Sequence, residues 1–261
     1  MTTTTSLLTH TITRHVATVT VHHPPVNALT PALLDELDTT FEFLGANAAV
    51  KVIVLTGAGQ VFIAGADIRM LAAISSAQEG TDMARRGQAI FNKIEALEKP
   101  VIVAINGACL GGGLELAMCC PLRLAAEGSR LGQPEITLGI IPGFGGTQRL
   151  ARLIGRAKAT ELILTGDLLS AQEAKTLGLV SQVIPPKDLL RQAQRLAQKI
   201  ASKGQVAIRA ALRAMHHGTA LELREGLALE AELFGKLCAS DDKKEGVTAF
   251  LTKRQPQFTD R

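Results

Sequence analysis

Two short apolar runs, Val52–Thr56 and Val101–Ile105, each lead into glycine-rich chain, and a helical stretch around Met83–Leu97, closed by Pro100, lies between them. Consecutive apolar residues in extended chain leave no face for solvent, so each run reads as a strand covered on both sides. Strand, helix and strand at this spacing require a crossover connection and hence parallel pairing, which predicts an α/β fold rather than a sandwich. Further strands are expected at Leu122–Ala125 and Val180–Ile184.

The flanks fit that frame. From Thr9 to Val21 the chain alternates Ile12, Val16, Val19 and Val21 against polar residues, with a slip at Arg14–His15, and reads as a strand or hairpin ended by Pro24–Pro25. Thr30 before Pro31 is an N-cap and first-turn signal, and Leu33, Leu34, Leu37, Phe41 and Leu44 follow at helical spacing. Gly45 is the expected stop. Beyond Pro185–Pro186, residues 187–250 show helical periodicity with no convincing strand. The segment 219–237 spreads leucines and Phe234 around more of a helix than one core-facing stripe requires. Such a helix is either deeply buried or packed against another subunit.

With 261 residues, 46% of them hydrophobic, the chain can bury a substantial core. Its apolar runs fall short of the ~20 residues that a membrane helix needs. The N-terminus lacks the marks of a signal or transit peptide, so a cytoplasmic protein is expected. Cys109, Cys119, Cys120 and Cys238 form neither a CxxC pair nor a framework spacing, which favours buried thiols over disulfides or structural zinc. Basic residues are scattered rather than clustered, a weak sign of an anionic ligand. Because Trp and Tyr are absent, acid/base chemistry falls to Glu, Asp, His, Lys or Cys.

The stretch ACLGGGLELA, residues 108–117, holds the chain's most suggestive chemistry. Three glycines expose backbone N–H groups to a close ligand, the more so if Gly113 or Leu114 opens a helix. Phosphate cradling is disfavoured, because the sequence matches neither GxGxxG nor GxxxxGK[ST] and a nearby Glu would repel phosphate. An oxyanion hole and plain helix–strand packing remain open. Apart from thiols, Glu115 is the only ionisable group between Ala108 and Cys120, so desolvation is expected to raise its pKa towards proton-transfer work. Glu135 in LGQPEITLG, taken alone, reads as a solvated turn residue.

The segments FIAGADI (62–68), NGACLGGGLELAMCC (106–120), LGQPEITLGIIPGFGGTQRLARLIG (131–155), LTGDLLSAQEAKTLGLVSQV (164–183) and KKEGVTAFLTKRQPQF (243–258) resemble, in order and over essentially the whole chain, those of the crotonase superfamily, specifically the enoyl-CoA hydratases. The resemblance implies an α/β fold, a crotonase-like spiral of ββα turns. Residues 1–195 would form the core with the active site, and 196–261 a C-terminal helical region that builds homotrimers, usually paired as homohexamers.

It implies further that Glu115 and Glu135 flank a water molecule, and that the amides of Ala66 and Gly112 form an oxyanion hole for the thioester oxygen. Glu115 would orient and deprotonate the water, and Glu135 would protonate C2. The substrate would be a 2-enoyl-CoA, with coenzyme A as part of it and no metal or redox cofactor. Val26, Ala28 and Leu29, with Ala64, Gly65, Asp67 and Ile68, match the family's CoA-binding segments. Gly111, Pro134, Gly143 and Phe144 fall in its substrate-binding loops, while Phe250 and Lys253 would close the adenine end from a neighbouring subunit.

Two positions depart from the family pattern: Pro121 stands where many relatives carry an acidic residue, and Phe144 where Ala is common. The first bears on a helix terminus and the second on the acyl pocket, leaving chain length open. A Δ3,Δ2-enoyl-CoA isomerase, needing a single base, is disfavoured by the presence of both glutamates. An RNA-binding homologue is disfavoured by the lack of clustered aromatics and of a dense basic run. No nucleic-acid partner is expected.

Overall fold

The computed structural model describes residues 6–261. The expected hairpin is formed by β1 (Leu8–Thr13) and β2 (Val16–Val21), paired antiparallel. The slip at Arg14–His15 is its two-residue turn: both residues have positive φ (49° and 64°), as primed hairpin turns require. Helix α1 (Pro31–Ala46) starts where expected, with the Thr30 hydroxyl accepting a hydrogen bond from Leu33 N. It ends one residue beyond Gly45, at a C-cap on Asn47. Gly45 answers instead to packing, since a Cβ there would lie 2.9 Å from Leu97 Cδ2.

The rest of the core is a repeated unit of long strand, short strand and helix. Strands β3 (Val52–Gly57) and β4 (Val61–Ile63) precede α2 (Ile68–Ala72) and α3 (Ala77–Glu95). Strands β5 (Val101–Ile105) and β6 (Ala108–Leu110) precede α4 (Gly112–Met118). Strands β7 (Leu122–Ala126) and β8 (Arg130–Gly132) lead to a short 3-10 helix at Pro134–Leu138, then α5 (Gly146–Ile154) and α6 (Arg156–Thr165). Short strand β9 (Leu168–Ser170), α7 (Ala171–Thr176) and β10 (Gln182–Ile184) complete the winding. This is the ββα spiral that the resemblance implied.

The long strands form a six-stranded sheet in the order β1-β2-β3-β5-β7-β10, parallel except for β1. The short ones form a second sheet, β4-β6-β8-β9, in which only β9 runs antiparallel. Every residue of β3 and β5 is buried, as the apolar runs predicted. Ile53 and Leu55 face the interior, while Val52 and Val54 face Leu189, Ala193 and Ala197 of α8 (Leu189–Ala201), whose small side chains allow close approach to the sheet. The division drawn at 195/196 falls inside this helix.

Two boundaries differ from expectation. Helix α3 begins six residues before Met83, because its first turns are polar and exposed and carry no periodic signal; Ser76 caps it. Strand β10 begins at Gln182 rather than at Val180, which is buried without pairing. Three of the cysteines are buried free thiols, whereas Cys238 is exposed, contrary to expectation.

The C-terminal region is a helical hairpin, α9 (Gln205–Gly218) and α10 (Leu223–Cys238), followed by α11 (Asp241–Leu251). Deep burial of α10 is corrected here: only Leu233 is buried, while Leu223, Leu227 and Phe234 are exposed. Helix α10 packs against α9 on one side, and its other side leaves Leu223, Leu227 and Phe234 without cover among the described residues. Among the described residues no helix is long and apolar enough to cross a membrane.

Candidate active site

Strands β4, β6 and β8 lie side by side and parallel, so their C-terminal ends share one edge of the small sheet. Ala66, Gly112 and Glu135 lie just beyond those three ends, on successive turns of the spiral. Ligand sites in parallel sheets gather at such ends, where the chain leaves the hydrogen-bond ladder. Ala66, Gly112, Glu115 and Glu135 line a single cavity of about 190 Å³.

Two unpaired amides reach this cavity. Leu29 bridges to Ala66 in parallel fashion: Leu29 N donates to Gly65 O at 2.8 Å and Asp67 N donates to Leu29 O at 2.9 Å. That pattern turns the Ala66 N–H away from Leu29, and it has no acceptor among the described residues. Gly112 opens α4, one residue earlier than Gly113, and as a first-turn residue has no intrahelical acceptor. The two amides are neighbours, because a Cβ built on Gly112 would lie 3.8 Å from Ala66 N. Gly111 makes the turn between β6 and α4 with φ 49° and ψ −125°, and a Cβ there would lie 2.6 Å from Glu135 Oε1. Only glycine permits both the conformation and the approach of that carboxylate.

Glu115 is buried on α4. Its Oε1 accepts hydrogen bonds from Phe144 N (2.7 Å) and Gly146 N (2.6 Å), and Oε2 has no protein partner among the described residues. Desolvation pushes its pKa up to about 7, against the lowering effect of the Gly146 amide; the Glu135 charge also raises it. The loop that supplies these amides is held in turn by Arg149, which donates to Phe144 O at 3.0 Å and pairs with Glu95 at 2.6 Å.

Glu135 stands in the 3-10 helix rather than in an open loop, half-buried, and desolvation raises its pKa to about 7 as well. The fully buried Gln133 carboxamide turns its nitrogen to this carboxylate and lies 3.1 Å from both oxygens.

The same cavity takes in Ala64, Gly65, Ile68, Gly111, Pro134, Gly143 and Phe144. Other expected residues stand outside it. Val26 O accepts from Ala64 N, Ala28 O accepts from His23 Nδ1, and buried Leu29 lies beneath Gly112. Asp67 caps α2 by accepting from Arg69 N at 2.8 Å. Phe250 and Lys253, on and after α11, are exposed and do not line the cavity within the chain. Pro121 is exposed and also lies outside it.

Sequence reasoning missed Leu71 and Met83 in the wall and Leu138, Ile140 and Ile141 at the rim, together with Gln133 and Arg149 behind the carboxylates. Met83 lies on the exposed-to-buried transition of a helix, and Gln133 and Arg149 are polar residues in polar surroundings, so none carries a local signal.

Paired backbone donors opposite two carboxyls that change charge near neutrality define a proton-transfer site able to act on a carbonyl compound. Over residues 11–261 the chain matches the family model described as Enoyl-CoA hydratase/isomerase, and it belongs to that family. It is 45% identical to the crotonyl-CoA hydratase of Syntrophomonas wolfei, covering 89% of this chain and 90% of that one. It is 42% identical to the short-chain-enoyl-CoA hydratase of Clostridium acetobutylicum over 92% of each. A crystal structure of enoyl-CoA hydratase from Bacillus anthracis superposes with TM-score 0.94 at 40% identity, covering 98% of this chain and all of that one.

Proposed function

We propose that the chain is an enoyl-CoA hydratase that adds water reversibly across the 2,3 double bond of a 2-enoyl-CoA thioester to give the 3-hydroxyacyl-CoA. The observation that carries this reading is the placing of two carboxyls, each with its pKa raised to about 7, in one cavity with the unpaired amides of Ala66 and Gly112. The names of the relatives at 42–45% identity support it.

The chemistry follows from charge. Attack of water at C3 drives electron density onto the thioester oxygen, where Ala66 N–H and Gly112 N–H donate; one such donor contributes about 3 kcal/mol by analogy with other oxyanion holes. Glu115, whose ionised form is favoured by its two amide bonds, takes a proton from the water. Glu135 delivers a proton to C2. Both carboxyls act from the same side of the double bond, so the addition is syn, and the roles reverse in dehydration. Coenzyme A is part of the substrate, and these steps require no further cofactor. An isomerase would leave the second glutamate without work.

Self-association as a homotrimer or homohexamer belongs to the same proposal. Support comes from the apolar residues left exposed on α10 and from the distance of Phe250 and Lys253 from their own cavity. A neighbour's Phe250 and Lys253 would then close the CoA end.

The test is hydration of crotonyl-CoA, followed as loss of the conjugated thioester absorbance, with Glu115→Gln and Glu135→Gln alongside. Turnover by the wild type and a loss of roughly 100-fold or more in each variant is expected. A rate unchanged by both substitutions refutes the site, and an inactive wild type refutes the activity. Light scattering on the purified protein tests the assembly, and a monomer at assay concentration refutes it.

A further inference from the structure

Ala66 N and Gly112 N can serve one oxygen only if two separate turns of the spiral keep their spacing. Leu29 touches both turns. Its backbone brackets Ala66 through Gly65 O and Asp67 N, and its Cδ1 lies 2.8 Å from the Cβ position of Gly112. Leu29 itself lies outside every helix and named strand, so its place must be fixed by side chains nearby. Asn27 does this. It is 3% exposed and sits at φ 54°, a conformation that asparagine tolerates better than most residues with a side chain. Its Oδ1 accepts from His23 N at 2.8 Å, and its Nδ2 donates to Val61 O (2.9 Å), Phe62 O (3.1 Å) and Ala58 O (3.3 Å), all in or beside the turn between β3 and β4. A second carboxamide grips the same turn. Asn106, between β5 and β6, accepts from Gly57 N at 3.1 Å and donates to Gly59 O (3.0 Å) and Val61 O (3.3 Å). The two asparagines therefore meet at Val61 O, one leading into Leu29 and the other, through β6, into Gly112. Neither lines the cavity.

We infer that Asn27 and Asn106 are positioning residues of the oxyanion hole: by tying both approaches to the turn between β3 and β4, they set the gap between the Ala66 and Gly112 amides. This rests on the reading of those amides as donors to a thioester oxygen. Such a donor acts only within about 3 Å of the oxygen that gains charge, and a misplacement of about 1 Å costs on the order of 100-fold in rate. Carboxamides suit the task, because the turn presents carbonyls that need N–H donors and each asparagine supplies two together with an acceptor. An ionised carboxylate of the same shape supplies no donor.

A push–pull thioester, 4-(dimethylamino)cinnamoyl-CoA, reads the site without turnover, because hydrogen bonds to its carbonyl oxygen move its absorption to the red. The wild type is expected to give that shift on binding. Asn27→Asp, Asn27→Gly and Asn106→Asp are each expected to lose roughly half of it or more, and to cut kcat for crotonyl-CoA by about 10- to 100-fold, with the loss falling on kcat more than on KM. Asn27→Gly adopts a positive φ freely, so its loss reports the missing carboxamide and not backbone strain. Combining Asn27→Gly with Asn106→Asp should cost less than the product of the two single losses, since both act on one turn. A merely structural role would lower the urea midpoint and leave the shift and kcat in place. That result in the folded variants overturns the inference, as does a loss confined to KM. Asn106 is only partly buried, so Asn106→Asp and the smaller Asn106→Ser carry the test if the Asn27 variants do not fold. A wild type that neither shifts the probe nor hydrates crotonyl-CoA refutes the oxyanion reading itself, whereas a wild-type shift that the variants keep in full refutes only the part given to the asparagines.

Discussion

Replacing Glu115 with Gln removes an ionisable group that the fold holds against its own preference. In the unfolded chain the carboxyl ionises at the ordinary value of 4.5, and burial in the native site raises that to about 7. A raised carboxyl pKa means that the native state binds more protons than the unfolded one between those values, so stability falls as pH rises through that window. At about 1.4 kcal/mol per unit, the destabilisation that this pKa difference contributes is about 1 kcal/mol at pH 5, where the folded carboxyl stays protonated while the unfolded one ionises, and about 3 kcal/mol at pH 8, levelling off above the folded pKa. Gln is isosteric, its Oε1 can still accept from Phe144 N and Gly146 N, and it carries no charge to desolvate. Glu115→Gln is therefore expected to stabilise the protein, by about 2 kcal/mol more at pH 8 than at pH 5, while abolishing hydration. The assay is urea unfolding of both proteins at the two pH values and one protein concentration, so that any subunit association enters equally. A stability difference independent of pH, or a variant less stable than wild type at pH 8, would refute the claim that burial controls this carboxyl.

Because both carboxyls titrate near 7, kcat/KM should be bell-shaped about neutrality, its acid limb reporting loss of the base and its alkaline limb loss of the acid; the limbs belong to the coupled pair. Glu135→Gln should erase the alkaline limb of the residual activity, and a persistent bell would show that Glu135 is not the acid. Arg149→Met removes a charge that lowers the Glu115 pKa and frees the Phe144 carbonyl, so the acid limb should move to higher pH; an unmoved limb counts against control of Glu115 by this loop. Gly111→Ala would force a non-glycine residue to φ 49° and ψ −125° and press a methyl on Glu135, at a cost of about 1–3 kcal/mol in stability and most of kcat. Chemical unfolding and steady-state rates check both, and wild-type values for either would contradict the turn's role.

Much of the fold was legible because the long strands are buried on both faces and therefore spell themselves out as Val52–Thr56 and Val101–Ile105. The short strands β4, β6, β8 and β9 were not separately readable: three residues each, they lie within glycine-rich chain and gain their pairing only from neighbouring turns. The site was half legible. Glu115 stood out as a lone acid in an apolar helix, while Glu135 carried no local mark and came forward only through the resemblance of its segment. Gln133 and Phe144 show why: one faces Glu135 and the ring of the other fills the space beside Gly87, contacts that exist only when separate turns are stacked.

By itself the sequence determined the α/β class, the glycine run with its buried carboxyl and the helical C-terminus, because these follow from local apolar periodicity and backbone sterics. Only the tertiary structure decided that Ala66, Gly112 and Glu135 meet at the ends of three adjacent parallel strands, that two glutamates share a desolvated cavity, and that α10 leaves Leu223, Leu227 and Phe234 uncovered. Those are properties of winding and burial. A carboxyl's pKa depends on what surrounds it in space, and in a ββα spiral most of those surroundings come from the next turn of the chain.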